Sequence, residues 1–285
     1  KKPKNFNIVE LGPGDGQLCK ILLKTLKNFP ELLKCSNIYL YEKSKKLKNI
    51  QKKNIKNDKV SWLSNLNKIK KGPTIFFGNE FFDAIPIKQY IKKRGVIHEK
   101  FFELQSDSTI KTILVKNSNK DNKIIEDYKI LKDQNIIEFP KMGFEQLKKI
   151  IKIVKKFNGG ILLIDYGYLK QLNKNSLQSV FKHKSNNLLD NIGSADITSL
   201  VNFQLLANFF IKNKLTVSKT VSQGYFLKKI GILNRAEIVS KKLNFKDKSN
   251  LFYRMQRLLD PKLMGELFKV IFAHNTKLKD ILGFK

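Results

Sequence analysis

The stretch that decides the reading of this chain is Val9-Glu10-Leu11-Gly12-Pro13-Gly14-Asp15-Gly16-Gln17-Leu18. Before it, Phe6–Leu11 is a short apolar run that ends in a glycine-rich turn, the pattern of a buried strand. After it, residues 17–29 carry Leu18, Ile21, Leu22 and Leu26 at helical spacing, with Pro30 at the boundary. The segment is therefore a strand, a tight turn and a helix. The glycines fall as G-x-G-x-G, and Gln17 stands where a dinucleotide-binding turn places its third glycine. This argues against a nicotinamide or flavin dinucleotide.

Working outward, residues 37–42 read as a second strand, 44–53 as a lysine-rich helix, 59–63 as a third strand and 74–78 as a fourth, after the Gly72-Pro73 turn. Strands alternating with helices imply a parallel sheet covered on both faces, a doubly wound α/β fold. Then the pattern changes. Residues 87–139 hold alternating strand-like pieces (88–91, 96–104, 111–115) and polar turns, an inserted β-rich subdomain whose most loop-like part is 106–122. Helical spacing returns over 143–157, with Gly159-Gly160 as its cap, and 161–164 is a fifth buried strand. A polar stretch follows over 171–191. A helix is expected over 197–212, a strand over 216–221, a helical insertion over 225–260 and a last strand over 267–273. The whole, 1–285, is expected to be one domain carrying the two insertions.

Composition narrows the function classes. Hydrophobic residues make up 41% of the 285, with 21 Phe, enough for a sizeable core. No apolar run approaches the ~18 residues of a membrane span. The start, Lys1-Lys2-Pro3-Lys4, lacks the apolar stretch of a signal peptide. Cys19 and Cys35 are two lone thiols outside any ligand cluster, so no metal site is expected. The net charge of +32 suggests an anionic partner. Yet only Arg94, Arg235, Arg254 and Arg257 supply the planar fork that base and phosphate recognition favours, and the lysines are spread along the chain. Compositional bias is the preferred reading, and nucleic acid is not the expected partner.

The chemistry-bearing residues follow the strand ends. A tight glycine turn at a helix N-terminus matches one that holds S-adenosylmethionine (SAM), with Gly12, Gly14 and Gly16 letting backbone and amides approach the ligand. Glu10 is placed to reach the ligand's amino group. Glu42, at the end of the second strand, is placed to take both ribose hydroxyls. Trp62, on the third strand, completes the cofactor-binding set. The fourth strand leads into Gly78-Asn79-Glu80-Phe81-Phe82-Asp83 and the fifth into Asp165-Tyr166. In open α/β sheets ligands bind beyond these ends. Glu80, Asp83 and Asp165 are therefore the candidate catalytic carboxylates, able to orient a cationic acceptor and take up its proton. Asp196 is expected to cap the helix that follows it, and His183 to be structural.

These blocks together resemble the MidA-like SAM-dependent methyltransferases, through VELGPGDGQL (9–18), GNEFFDAIPIKQ (78–89), GGILLIDYGY (159–168), HKSNNLLDNIGSADITSLVNF (183–203), SQGYFLKKIGI (222–232) and PKLMGELFKVI (261–271). The resemblance implies a class I methyltransferase fold, SAM held by Glu10, Gly12, Gly14 and Glu42, and a protein acceptor bearing a target Arg. In the family's eukaryotic member that acceptor is a respiratory complex I subunit. It places the chain in a bacterial cytoplasm or, if eukaryotic, in the mitochondrial matrix. Two features depart from the family. Only eight residues precede Val9, where the family carries a substantial region contributing to the cofactor pocket, so the chain reads as N-terminally truncated. Ile192 stands where Pro usually precedes Gly193. A SAM-binding assembly chaperone and a nucleic-acid methyltransferase are the competing readings.

Overall fold

The structure, a computed structural model, describes residues 3–107, 109–128, 134–170, 172, 174–277 and 280–285. Lys1, Lys2 and Gln171, used in the reading above, lie outside them. In chain order the strands are β1 (Phe6–Leu11), β2 (Ser36–Tyr41), β3 (Val60–Leu63), β4 (Thr74–Asn79), β5 (Lys88–Lys93), β6 (Val96–Leu104), β7 (Ile110–Lys116), β8 (Ile136–Phe139), β9 (Gly159–Tyr168), β10 (Gln178–Phe181), β11 (Lys184–Asn186), β12 (Asp196–Thr198), β13 (Val201–Asn202), β14 (Thr216–Val217), β15 (Val221–Ser222) and β16 (Phe268–His274). The helices are α1 (Gln17–Leu26), α2 (Pro30–Cys35), α3 (Lys45–Asn54), α4 (Asn119–Tyr128), α5 (Lys141–Phe157), α6 (Phe203–Lys212), α7 (Gln223–Lys229), α8 (Ile232–Ser240), α9 (Phe245–Leu259) and α10 (Met264–Leu267). The chain divides into two compact units, one of Lys1–Phe81, Leu147–Tyr166 and Phe210–Lys285, the other of Phe82–Gln146 and Gly167–Phe209.

The first unit is an open sheet in the order β14-β16-β9-β4-β1-β2-β3. β1 pairs in parallel with β2 on one side and β4 on the other, and β4 with β9. The last strand, β16, runs antiparallel to both β9 and β14 and lies between them, a reversal that the alternation of strands and helices did not reveal. The core under β1–β3 is Ile8, Cys19, Leu23, Leu26, Ile38, Leu40, Ile55 and Val60, contributed by strands, by the inner face of α1 and by Ile55 just past the end of α3. Burying one such side chain is worth about 1.5–3 kcal/mol. The inner stripe of α1 is Cys19, Leu23 and Leu26; Leu18 and Ile21 face solvent instead.

Other boundaries moved for local reasons. Pro30 starts a helix, at the first position of α2, where its missing N–H costs nothing. Asn158, at φ 64, takes the left-handed position that ends α5, and Gly159 already belongs to β9. The helix expected from residue 197 begins at Phe203, because Asn202 caps it by accepting the Leu205 N–H at 2.9 Å. Asp196 is therefore no cap: it is an exposed residue of β12, paired with Val180. Residues 216–221 form two short pieces, β14 and β15, each paired antiparallel with β16.

The second unit contains an antiparallel sheet in the order β7-β6-β5-β8 and a smaller one in the order β11-β10-β12. Its core is aromatic: Phe144 stacks on Phe209 at 4.0 Å between centroids and meets the edge of Phe139 at 5.3 Å. Glu138 is buried there but satisfied, accepting from the Gln89 side-chain amide at 2.8 Å and the Ser176 N–H at 3.0 Å.

The β4–β9 pairing sets one sharp steric limit. A methyl group on Gly159 would lie 1.9 Å from the Thr74 carbonyl oxygen. Replacing Gly159 with Ala is expected to destabilise the fold by about 3 kcal/mol or more, since backbone must move on both strands. Urea denaturation of the variant checks this; an unchanged midpoint would refute the tight pairing.

Candidate functional site

The candidate site lies at the carboxyl ends of β1, β2, β4 and β9, in the first unit. The chain turns out of β1 through Gly12, Gly14 and Gly16, at φ 63, 54 and 87. The Gly12 N–H donates to the Tyr41 carbonyl at 3.1 Å, which fixes the turn to the end of β2. Two of the glycines do different work. A methyl on Gly16 would sit 2.6 Å from Ile55 Cδ1, so this residue lets the start of α1 close onto the core. A methyl on Gly14 would meet nothing within 4 Å, so this residue borders open space and serves the turn through its left-handed backbone.

Glu10 is the electrostatic oddity. It lies on β1 level with Leu40 and Phe77, and is 5% exposed. Its Oε2 is buried and has no hydrogen-bond partner. Burial pushes its carboxyl up to about 7, and burial, with a smaller contribution from the Glu10 charge, pushes the nearby Cys19 thiol up to about 12. A buried carboxylate oxygen without a donor is costly and asks for a partner that the chain itself does not supply.

Around the turn, one residue that sequence reasoning missed ties the parts together. Gln51 of α3 is fully buried. Its amide nitrogen donates to the Gly14 carbonyl at 2.7 Å and to Glu42 at 3.4 Å, while its oxygen accepts the Trp62 indole N–H at 3.0 Å. The signal was present: Gln51 lies one turn after Leu47 on the inward face of an otherwise lysine-rich helix. Glu42 follows β2, and its other oxygen accepts the Ser44 N–H at 2.8 Å. Trp62 is thus brought to Glu42 through Gln51, with its ring under the Lys52 ammonium, 5.8 Å from the centroid.

Where β4 ends, Glu80 and Asp165 of β9 are neighbours in register. Asn79 pairs with Ile164, and the Glu80 N–H donates to the Ile164 carbonyl at 3.0 Å. Glu80 is exposed and holds φ 51, a left-handed conformation uncommon for a residue with a side chain. Such conformations cost of order 1 kcal/mol or more and concentrate at functional sites. Asp165 is 1% exposed, accepts the Tyr166 N–H at 3.0 Å, and is followed by three more residues of β9 rather than by its end. Asp83 belongs to the second unit, where it is buried and its carbonyl accepts the Ser199 N–H at 3.1 Å. His183 and Lys182, at φ 63 and 49, form the two-residue turn between β10 and β11, a structural post. Among the described residues no group of acids, cysteines and histidines could hold a metal ion, and no helix is long and apolar enough to cross a membrane.

Comparison with known proteins adds three findings. The profile of a family described as "Putative S-adenosyl-L-methionine-dependent methyltransferase" matches residues 1–221. The Homo sapiens protein named "Protein arginine methyltransferase NDUFAF7, mitochondrial" is 26% identical over 294 residues, covering 94% of this chain and 66% of its own length. Its Caenorhabditis elegans homolog is 29% identical over 252 residues, 81% of this chain and 59% of that protein, so this chain spans about three-fifths to two-thirds of these relatives. A Burkholderia thailandensis protein crystallised with S-adenosyl-homocysteine shares the fold at a TM-score of 0.81 and 19% identity, over 98% of this chain and 73% of that one.

The state of Glu10 predicts a pH signature in the unliganded protein. Its folded value of about 7 exceeds the ordinary 4.5, so the folded state holds the proton more tightly than the unfolded one. Stability from this group is therefore full below pH 4.5 and is lost as pH rises to 7, by on the order of 3 kcal/mol. The Glu10→Gln variant is expected to lack that loss when denaturation is measured from pH 4.5 to 8. Parallel stability curves for the two proteins would show that Glu10 is solvated after all.

Proposed function

Because this chain belongs to the MidA-like family of S-adenosyl-L-methionine-dependent methyltransferases, we propose that it is a protein-arginine N-methyltransferase whose cofactor is held at the β1 turn. The observation that carries the cofactor half is Glu10: a buried carboxyl with an unsatisfied oxygen, beside a glycine turn with open space over Gly14. These features fit a ligand bearing an ammonium group. Glu10 would hold that ammonium, Gly12 and Gly14 would allow the backbone approach, and Glu42 would take the ribose hydroxyls, oriented by Gln51 and the Ser44 N–H. Trp62 supports the same wall through Gln51. When bound, SAM supplies a methyl group on a sulfonium, so the protein's task is alignment more than activation.

The acceptor half rests on Glu80 and on the relatives' names. Glu80 is exposed, forced into a left-handed backbone and hydrogen-bonded through its own N–H to β9. A carboxylate held so matches a guanidinium in two-pronged fashion and can take the proton that the acceptor nitrogen loses as its new bond to carbon forms. Asp165 is buried next to it in register, a second carboxyl on the same stretch of the sheet. The curated relatives, 22–29% identical, are named protein arginine methyltransferases. The acceptor is then a protein with an exposed Arg, and the family resemblance points to a subunit of respiratory complex I.

Calorimetry with S-adenosyl-homocysteine tests the cofactor half first. Affinity is expected to fall about tenfold per pH unit below pH 7, where Glu10 is protonated and cannot pair with the ammonium. It is expected to fall about tenfold or more in Glu42→Ala. A flat profile and an unaffected Glu42→Ala would remove both residues from the site. For the acceptor, transfer of labelled methyl to Arg-containing peptides is expected to drop by roughly 10²-fold or more in Glu80→Gln. Cofactor binding should stay within about threefold. Full transfer by that variant, or label on Lys or RNA instead of Arg, would overturn the assignment.

A further inference from the structure

Away from the strand ends, the segment from α7 to α9 leaves apolar surface uncovered. Neither α8 nor α9 has a single buried residue, although α9 is 15 residues long and so about 22 Å. Phe245, Phe252 and Tyr253 are 85%, 72% and 68% exposed, and Leu233 is 52% exposed. Between the helices lies a cleft of about 870 Å³ with a floor of Leu233, Ala236, Leu251, Phe252, Met255 and Leu259. A soluble chain rarely displays so much aromatic surface in one place without a use for it.

Charge says what fills it. Four charged side chains line the cleft: Lys228, Lys248, Glu237 and Asp260. Both acids are already answered within the fold, Glu237 by Lys241 at 3.3 Å and Asp260 by the Lys262 N–H at 2.8 Å. Among the described residues no acid pairs with Lys228 or Lys248. The surrounding stretch, 223–262, holds ten Lys and Arg against three Asp and Glu, and three of the chain's four Arg. Two copies of this face would repel each other. A concave cleft also suits an inserted ridge of side chains better than a bilayer.

We propose that the cleft between α8 and α9 docks an amphipathic helix of a partner protein, its apolar stripe filling the cleft and its flanking carboxylates meeting Lys228 and Lys248. The match is the helix-in-groove mode, with anchors at i, i+3 or i+4, and i+7 along about two turns. This docking stands independently of the acceptor chemistry at Glu80.

The test uses the full chain and two labelled peptides of about 18 residues, each designed with the groove-binding pattern of i, i+3, i+4 and i+7 anchors. Both carry the same Leu and Phe stripe, one with Glu on its flanks and one with Lys. In fluorescence anisotropy the Glu peptide is expected to bind in the micromolar range, and the Lys peptide at least about tenfold more weakly. The double variant Lys228→Glu/Lys248→Glu should reverse that preference. Phe252→Asp should abolish binding of the Glu peptide while leaving cofactor calorimetry unchanged, since Phe252 is itself 72% exposed. Equal binding of the two peptides, binding of neither, or binding that survives Phe252→Asp would overturn the proposal. So would indifference to the peptides combined with a Phe252-dependent dimer in sedimentation, which would assign the cleft to a second copy. Phe252-dependent sedimentation with phosphatidylglycerol vesicles, without peptide discrimination, would assign it to lipid.

Discussion

The arrangement depends on one constraint, the parallel pairing of β1 with β2 on one side and β4 on the other. Parallel neighbours cannot be joined by a hairpin, so each connection must cross a face of the sheet and return. The connection from β1 leads to β2, and the chain later comes back to the opposite flank as β4. The loops that leave the carboxyl ends of β1 and β4 therefore diverge, and a crevice opens where the order reverses. That single reversal puts the glycine turn, Glu42 and Glu80 at the same edge of the sheet, though 70 residues separate Glu10 from Glu80 in sequence. No side-chain contact is needed to gather them; backbone pairing alone does it.

Within that frame the polar chemistry divides into what the fold satisfies and what it leaves open. Gln51 is buried and uses its amide in three directions. An amide suits this post better than a charge, because it donates and accepts without the desolvation cost of an ion. Glu10, on β1 ahead of the turn that Gln51 holds, is the reverse: buried, ionisable and, among the described residues, without a donor for one oxygen. The contrast is informative because native interiors rarely leave such a group unanswered. A ligand with a positive group at that spot would turn an expense of the empty fold into affinity.

Much of this was legible in the sequence. The glycine turn, the carboxylate after β2 and the strand end carrying Glu80 are local signals, set by spacing and turn chemistry, whereas Asp165, expected at a strand end, lies inside β9. What escaped was non-local. The antiparallel direction of β16 leaves no trace in its own residues, since a buried strand is apolar whichever way it runs. Gln51 looked like one more polar residue on a lysine-rich helix, and only its phase relative to Leu47 marked it as inward. Asp196 looked like a helix cap because short polar residues favour caps; pairing with β10 drew it into a strand, and Asn202 took the capping role. The left-handed backbone at Glu80 has no sequence signature, because glycine is the residue that ordinarily announces it.

The position of β16 also orders events during synthesis. It lies between β9 and the pieces β14 and β15, and it follows them all in the chain order of the described strands. Until residue 274 has left the ribosome, residues 160–166 of β9 lack β16, and Ile161 and Leu163, buried in the finished sheet, border an open edge. β1, β2, β3 and β4 can meet their neighbours early, whereas this half must wait, with an apolar edge available to other chains in the interval. A nascent chain of this protein is thus expected to be a client for chaperones that shield strand edges, and its vulnerable interval runs from the synthesis of β9 to that of β16.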